Sequence, residues 1–316
     1  MDVVSQENYT FKRLNPDLYL DLIYISKSAF NINPGIEYYT RKNKTDDFGP
    51  THLGFIAYSK EGEPAAFYGV YAIPMEINGK HVLAAQSGDT MTHKNHMGKG
   101  LFVRLAKMTY ELAKESGVDF IFGFPNNNSY PGLSGKLEWT CPYKLKEFRI
   151  KVRTIPLSKI AKKVKLFSPL YRLYSSIIFS LFSEKGESFP SSVIEAGIGG
   201  VRRTSNYMDY KTFNGAFLRK LDACSIWFNV DGFLFLGDVQ RKENVDYPKM
   251  LKKIRQICFW AGIDVIIFQS SPGSFLATQF SKYLASTDAF YMGFLNLSKK
   301  YNPEDFKYVF GDVDTF

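Results

Sequence analysis

Residues 88–139 read GDTMTHKNHMGKGLFVRLAKMTYELAKESGVDFIFGFPNNNSYPGLSGKLEW, and this stretch decides the fold. The apolar run before it becomes polar towards Asp89, which predicts a strand that leads into the loop HKNHMGKG. Beyond the loop, the pattern predicts an amphipathic helix over residues 100–115. Its apolar face recurs at helical spacing and consists of Leu101, Leu105, Met108 and Leu112. A strand, a glycine loop and a helix therefore follow one another.

The loop contains two glycines, Gly98 and Gly100, among cationic side chains. The first N–H groups of a helix lack intrahelical partners and the helix dipole is positive there, so a bound diphosphate satisfies both. Glycine lets the backbone approach such a ligand closely. The loop therefore predicts a phosphate-binding cradle, while the two glycines alone also fit a flexible strand-to-helix turn.

The order continues after Gly117 with a buried strand at residues 118–124, a polar turn and a short helix. This order resembles the GNAT (Gcn5-related N-acetyltransferase) superfamily, whose acetyl-CoA loop reads Gln/Arg-x-x-Gly-x-Gly/Ala. The matching hexapeptide is Asn95-His96-Met97-Gly98-Lys99-Gly100, with Asn95 where the family usually has Gln or Arg. Residues 124–129 and 136–139 resemble the family's second cofactor segment, with Glu138 in place of the usual glycine.

The resemblance implies that acetyl-CoA is the donor substrate and that no metal is used. In the family, backbone amides before the loop bind the pantetheine arm and polarise the thioester, and asparagines after the second strand bond the pantetheine amides or the adenine side. The implied cofactor-binding residues are Met91, Thr92, His93, Asn95, His96, Met97, Gly98, Lys99, Gly100, Leu101, Asn126 and Asn128.

Three side chains are candidates for proton transfer. Asp89 is the first candidate to take the proton from an acceptor ammonium, and His93 is the second. Tyr130 matches the place where many family members carry a tyrosine that protonates the departing thiolate. Structural alternatives exist for three of the named residues: Asp89 bonding backbone amides at the strand end, His93 contacting phosphate or solvent, and Asn128 capping the short helix.

The second half of the chain echoes the first. Gly237-Asp238-Val239 resembles Gly88-Asp89-Thr90, and the segment after Gly262 resembles the segment after Gly117. The second half has no counterpart of the Gly-x-Gly loop. We therefore expect an α+β (mixed α/β) fold with two GNAT-like domains, each a mixed, mostly antiparallel sheet flanked by helices. The predicted parts are an acetyl-CoA-binding domain at 1–152, a basic helical linker at 153–203 and a degenerate second domain at 204–316.

Composition sets further bounds. With 316 residues, 45% of them hydrophobic, the chain holds enough apolar side chains for a sizeable core. The three cysteines have no metal-ligand spacing and favour reduced thiols. The amino-terminal residues show no secretion signal and no stretch is long and apolar enough to span a bilayer, so a cytoplasmic location is expected.

The net charge of +9 is concentrated in one segment. Residues 151–172 carry seven Lys or Arg side chains, and no acidic residue occurs before Glu184. Apolar residues alternate with these cations, so the segment is expected to pack between domains, and peripheral membrane contact through residues 159–182 is the alternative. Nucleic acid is not an expected partner.

The leading functional hypothesis is an acetyl-CoA-dependent N-acetyltransferase that acts by direct transfer in a ternary complex. Similarity to bacterial polysaccharide-pathway acetyltransferases implies an amino sugar or a nucleotide-linked sugar as the acceptor. The alternatives are an aminoacyl or peptidyl transferase of the peptidoglycan-bridge type, which uses aminoacyl-tRNA, and a non-catalytic CoA-binding protein. Paired acids in the tail at residues 311–316 suit a cationic acceptor, although an exposed, frayed end is the favoured interpretation.

Overall fold

The computed structural model of the protein describes residues 8–212, 215–222, 224–242 and 245–316. The chain divides into two compact units. The first consists of Met1–Met75, His81–Pro142 and Tyr291–Pro303, and the second of Glu76–Lys80, Tyr143–Phe290 and Glu304–Phe316. Residues 153–203 thus lie within the second unit, and the domain limits drawn from the sequence stay a prediction.

The strands are numbered in chain order. They are β1 (Tyr9–Arg13), β2 (Leu53–Ser59), β3 (Pro64–Ile77), β4 (Lys80–Thr92), β5 (Phe120–Gly123), β6 (Thr140–Lys151), β7 (Glu184–Lys185), β8 (Gly200–Val201), β9 (Phe217–Leu221), β10 (Cys224–Val230), β11 (Leu234–Val239), β12 (Val265–Ser270) and β13 (Ser286–Asn296).

The α-helices alternate with these strands. They are α1 (Tyr19–Phe30), α2 (Ile36–Lys42), α3 (Leu101–Glu115), α4 (Tyr130–Lys136), α5 (Leu157–Lys163), α6 (Ser168–Phe182), α7 (Ser205–Lys211), α8 (Tyr247–Trp260) and α9 (Phe275–Ser281). Within the described residues, we find no helix with both the length and the apolar character to cross a membrane.

The sheet of the first unit has the order β1-β2-β3-β4-β5-β13. Strands β1, β2 and β3 pair antiparallel, and β13 pairs antiparallel with β5. Strands β4 and β5 run parallel and are connected through α3. Asn78 and Gly79 both have left-handed φ values, 49° and 72°, and form the predicted two-residue turn between β3 and β4. The mixed sheet flanked by helices confirms the predicted fold class.

Helix α3 packs against this sheet with part of the face that the sequence predicts, because Met108 and Leu112 are only half-buried. Leu101 and Leu105 are buried, and Tyr110 lies among them. The Tyr110 hydroxyl accepts a hydrogen bond from Trp139 Nε1 at 2.9 Å and lies 2.8 Å from the Tyr68 hydroxyl. Burial raises the pKa of Tyr110, so the phenol stays neutral. These contacts therefore hold the helix that follows the glycine loop against the sheet.

The second unit also contains a strand, a helix and a parallel strand in succession. Its sheet runs β6-β12-β11-β10-β9-β7, and β11 and β12 are the parallel pair, connected through α8. The neighbouring pairs β10 with β11 and β9 with β10 are antiparallel. Gly262 follows α8 with a φ of 64°, as Gly117 follows α3 with a φ of 83°. The repetition noticed in the sequence is therefore a repetition of strand, helix and parallel strand.

The carboxyl-terminal residues are buried in the second unit, so the expectation of an exposed, frayed end is wrong. Phe316 is 1% exposed and its ring lies 4.9 Å from that of Trp227. Asp312 is buried as well and accepts a hydrogen bond from Arg203. The apolar side chains of the tail pack beside β11, and their burial stabilises this position of the tail.

Candidate active site

The loop between β4 and α3 is open at both of its glycines. Gly98 and Gly100 have φ values of 74° and 73°, a conformation that favours glycine. A Cβ built at either position would meet no heavy atom of the described residues within 4 Å. Gly100 directly precedes α3, and no side chain caps that helix end. The amides of the first turn are therefore not satisfied by a side-chain cap, which suits a diphosphate site.

Strand β4 extends beyond its pairing with β5. The register of the two strands ends at Gln86 and Phe122, whereas β4 continues to Thr92. The amide of His93 donates to the carbonyl of Ala65 on β3 at 2.8 Å. Successive amides of a strand point to opposite edges, so the Thr92 amide points to the edge that β5 has left. The His93 amide is thus engaged, and this alternation makes the Thr92 amide the candidate for a ligand.

Two histidines tie the loop to the turn between β2 and β3. His96 Nε2 lies 3.3 Å from Glu63 Oε2, and its Nδ1 lies 2.9 Å from the hydroxyl of Tyr9. His93 Nε2 lies 3.8 Å from Glu63 Oε1, and its ring stacks on that of Tyr24. The Tyr24 hydroxyl also donates to Glu63 Oε1 at 2.6 Å. We call Glu63, His93 and His96 the loop clamp.

The loop clamp places one possible ligand atom from each residue within 4.8 Å of the others, which is close enough to consider a metal ion. The amide of Asn95, however, donates to His93 Nδ1 at 3.3 Å, which leaves the proton of a neutral ring on Nε2, facing Glu63. A ligating Nε2 cannot carry that proton. The arrangement therefore favours hydrogen bonding. The pKa of Glu63 is lowered from its ordinary value, mainly because its carboxylate accepts the hydrogen bond from Tyr24.

Asp89 lies on β4 with a left-handed φ of 53° and is held by three side chains. The Tyr71 hydroxyl donates to Oδ2 at 2.8 Å, and the Tyr38 hydroxyl donates to Oδ1 at 3.0 Å. The ammonium group of Lys42 lies 2.8 Å from Oδ2, and the Lys42 side chain is 5% exposed. We call Asp89, Lys42, Tyr38 and Tyr71 the Asp89 cluster. These three partners of Asp89 are side chains, whereas the structural alternative from the sequence had Asp89 bonding backbone amides.

The Asp89 cluster leaves room for one more partner. A carboxylate has about four lone-pair sites, and donors from the described part of the chain occupy three of them. Burial, followed by the charge of Asp89, raises the pKa of Tyr38, so this phenol remains a neutral donor. The side chain of Asp89 is 19% exposed, which lets a small group reach it. The cluster can therefore accept one hydrogen bond from a cationic or polar ligand.

The second predicted cofactor segment is ordered by its own side chains. Asn126 Oδ1 accepts the amides of Asn128 and Ser129 at 2.9 and 3.1 Å, so Asn126 holds the turn before α4. This is the capping-type role that the sequence suggested for Asn128. Tyr130 opens α4, and its ring stacks on that of Tyr291 with centroids 4.0 Å apart. The stacking fixes the orientation of the phenol.

The remaining predicted residues divide into exposed loop positions and buried supports. Lys94, Asn95, Met97 and Lys99 are exposed, and Met91 and Leu101 belong to the core. Sequence reasoning missed Lys42, Tyr38 and Glu63. Tyr38 and Lys42 are four residues apart on α2, and this spacing is the one signal that put them on the same helix face.

A cavity of about 700 Å³ lies in the second unit and contains none of the predicted site residues. Its lining includes three cationic side chains, Lys162, Arg172 and Arg219. Lys162 is already paired with Asp231 at 2.6 Å. Size alone does not make this cavity the site of chemistry, because it lacks an arrangement of acid, base and open backbone amides such as β4 and its loop provide.

Comparison with known proteins agrees with this location. Residues 10–141 match the family model of the acetyltransferase (GNAT) domain. The matched range includes α2, the Asp89 cluster, the loop clamp and α3. A search of curated proteins finds no match. The amino-terminal part of the chain is thus similar to the GNAT acetyltransferase domain.

Solved structures share the fold over most of the chain. A protein from Pyrococcus horikoshii, named only provisionally as an acetyltransferase, is 16% identical with a TM-score of 0.58, over 97% of this chain and 95% of its own. A GCN5-related N-acetyltransferase from Kribbella flavida is 9% identical with a TM-score of 0.56, over 92% and 71%. One from Anabaena variabilis is 14% identical with a TM-score of 0.53, over 92% and 73%. At these identities the likeness shows the fold alone.

Proposed function

We propose that the protein is an acetyl-CoA-dependent N-acyltransferase that transfers the acetyl group directly to a small amine in a ternary complex. One observation carries this proposal. The open loop at Gly98 and Gly100 leads into an uncapped helix, within the range that matches the GNAT domain. A helix end of this kind binds phosphate groups without further residues.

The donor would bind along β4 and α3. The first amides of α3 would hold the diphosphate, with the exposed ammonium groups of Lys94 and Lys99 adding charge. The amide of Thr92 would bond the pantetheine arm or the thioester carbonyl, at the edge where β4 has no partner from β5. Bound acetyl-CoA supplies the activated acetyl group.

The acceptor amine must lose a proton before it can attack. Asp89 would attract the ammonium form, since one lone-pair site of its carboxylate is unoccupied, and would take the proton directly or through water. Tyr38 and Tyr71 would hold the carboxylate in place during this step. Tyr130, oriented by Tyr291, is the proposed donor to the departing thiolate.

The acceptor that we propose is an amino sugar or a nucleotide-linked sugar. The anionic Asp89 supports a cationic amine in general, and the sugar rests on the resemblance to polysaccharide-pathway acetyltransferases. A neutral hydroxyl could also donate to this carboxylate, but it would lack the charge attraction that an ammonium group has for Asp89. The amine is therefore the better supported part of this proposal.

We also propose a tandem arrangement in which the second unit is a non-catalytic GNAT-like copy. Asp238, the counterpart of Asp89, is fully buried and bonded to Arg203 at 2.5 Å. The ring of Phe316 leaves no room for a Cβ at Gly237 on β11. The segment between β11 and α8 contains no glycine. Asp238 thus has a structural role in the second unit, whereas we propose that Asp89 serves a site in the first.

The proposal is tested by titration of the purified chain with acetyl-CoA, followed by an assay of thiol release with amino sugars, amino acids and polyamines. We expect saturable binding and thiol release with at least one amino sugar. Binding without release from any amine would favour a CoA-binding protein. Affinity for RNA that weakens with salt, without affinity for acetyl-CoA, would favour the aminoacyl-tRNA alternative.

Replacing Glu63 with Gln is expected to weaken acetyl-CoA binding roughly threefold to tenfold with little change in kcat. The carboxylate accepts from Tyr24 and faces both histidines of the loop clamp, so its loss frees the loop before the ligand binds. Glu61→Gln is the matched control, because Glu61 is an exposed residue of the same turn outside the clamp. Equal effects of the two substitutions, measured by calorimetry, would remove this role from Glu63.

A further inference from the structure

Helix α6 presents an apolar stripe to solvent. Leu170, Leu173 and Leu181 are 62%, 62% and 72% exposed, and Ile177 is 50% exposed. Leu166, in the turn before the helix, is 93% exposed. Spacings of three and four residues place the four side chains of α6 within a band roughly 100° wide, at about 100° per residue. The exposed side chains form a continuous apolar stripe.

The opposite face of α6 is fixed in the second unit. Ile178 and Phe179 belong to the core of this unit, and Tyr171 is buried with its hydroxyl bonded to the carbonyl of Ala261 at 3.1 Å. The helix therefore cannot rotate its stripe inwards without removing these side chains from the core. A contiguous apolar stripe that stays outside indicates a binding surface.

Aromatic side chains border the stripe. The Tyr174 hydroxyl donates to the carbonyl of Trp260 at 2.5 Å, which places the end of α8 beside α6. Trp260 and Phe259 are 49% and 46% exposed. Tyrosine and tryptophan are the residues that favour the boundary between hydrocarbon and water. The border has the composition of an interfacial surface.

The charged residues within 163–172, next to the stripe, are all cationic. Lys163 and Lys165 are exposed on either side of Val164, directly before Leu166, and neither has an ion-pair partner among the described residues. Lys159 and Lys162 are paired with Asp264 and Asp231. Residues 151–183 contain no acidic side chain, so two copies joined through this segment would bring like charges together. An anionic surface complements it.

We infer that this face of α6, with the adjacent end of α8, binds the surface of an anionic lipid bilayer. The helix has 15 residues and is about 22 Å long, shorter than the roughly 30 Å of a hydrocarbon core. It therefore lies in the interface, with the leucines among the acyl chains and the lysines among the headgroups. This inference is independent of the proposed transferase activity.

Flotation of the full chain with vesicles tests the inference. We expect binding to vesicles of phosphatidylcholine and phosphatidylglycerol in roughly equal amounts to exceed binding to phosphatidylcholine alone at least about tenfold, decreasing with salt. The variant Leu170→Gln/Leu173→Gln/Ile177→Gln is expected to reduce binding at least about thirtyfold, because three buried apolar groups are lost. Lys163→Gln/Lys165→Gln should remove most of the preference for phosphatidylglycerol.

Tyr283→Gln is the matched control, because Tyr283 is an apolar side chain of the same unit that is 57% exposed outside the stripe. It is expected to bind vesicles as the unchanged chain does. The triple variant should keep its circular dichroism spectrum, since each replaced side chain points outwards. Failure of the unchanged chain to float with either vesicle would overturn the inference. Dissociation of an oligomer by the triple variant, without vesicle binding, would assign the stripe to a second copy instead.

Discussion

The Gly98→Glu variant is expected to lose acetyl-CoA binding, with an affinity at least about a hundredfold lower. The new side chain would extend into the space beside the first turn of α3, where a diphosphate would lie. Its carboxylate would repel the phosphates and cover the helix amides. The left-handed φ of 74° adds backbone strain for any residue other than glycine. Calorimetric titration measures the loss.

The Gly117→Glu variant controls for the strain. Gly117 follows the same helix, has a φ of 83° and has no described heavy atom within 4 Å of a built Cβ. It lies about 22 Å from the loop, the length of the helix between them. Both variants should lose similar stability on heating, but Gly117→Glu should keep its affinity. An equal loss of affinity in both would show that the ligand does not depend on the glycine loop.

The elements around this loop could be predicted because their signals are local. The apolar spacing in residues 101–112 identified α3, and Asn78-Gly79 identified the turn between β3 and β4. A left-handed pair of residues or a helix face is determined within a few positions of the chain. The same holds for the open glycines, whose conformation follows from residue type.

Contacts between distant segments could not be predicted in the same way. Lys42 and Asp89 are 47 residues apart, and neither residue carries a local mark of the other. Strand β5 receives its antiparallel neighbour from residues 293–296, after nearly the whole second unit has intervened. The buried tail, with Phe316 beside Trp227, is a packing result of the same kind. The periodicity of a short segment cannot predict contacts between residues that lie far apart in the sequence.

Asp89 and Asp238, which the proposed tandem arrangement makes counterparts, have different surroundings, and this difference bears on the site. Asp238 is bonded to Arg203, which also bonds Asp312, and burial raises the pKa of Asp312. No part of the Asp238 residue is exposed. Asp89 instead has a lysine partner and remains 19% exposed at its side chain. A partly solvated carboxylate can exchange a proton with a ligand, whereas a sealed one cannot.

Replacing Lys42 with Met is expected to lower the free energy of unfolding by about 3 kcal/mol, since it leaves the Asp89 carboxylate without its cation. This value lies at the lower end for buried pairs because water reaches part of Asp89. Arg41→Met is the control on the same helix. Its partner Glu37 is at 2.8 Å, but both side chains are more than half exposed, so a loss below about 1 kcal/mol is expected. Urea unfolding measures both.

The double variant Lys42→Met/Asp89→Asn separates the structural from the catalytic part of the Asp89 cluster. It removes both charges, so we expect it to recover at least about 1 kcal/mol relative to Lys42→Met. If Asp89 also accepts the amine proton, the refolded double variant should bind acetyl-CoA normally but transfer slowly at neutral pH. Its rate should rise with pH until the acceptor amine loses the proton unaided. Normal transfer at neutral pH would limit Asp89 to holding α2 against β4.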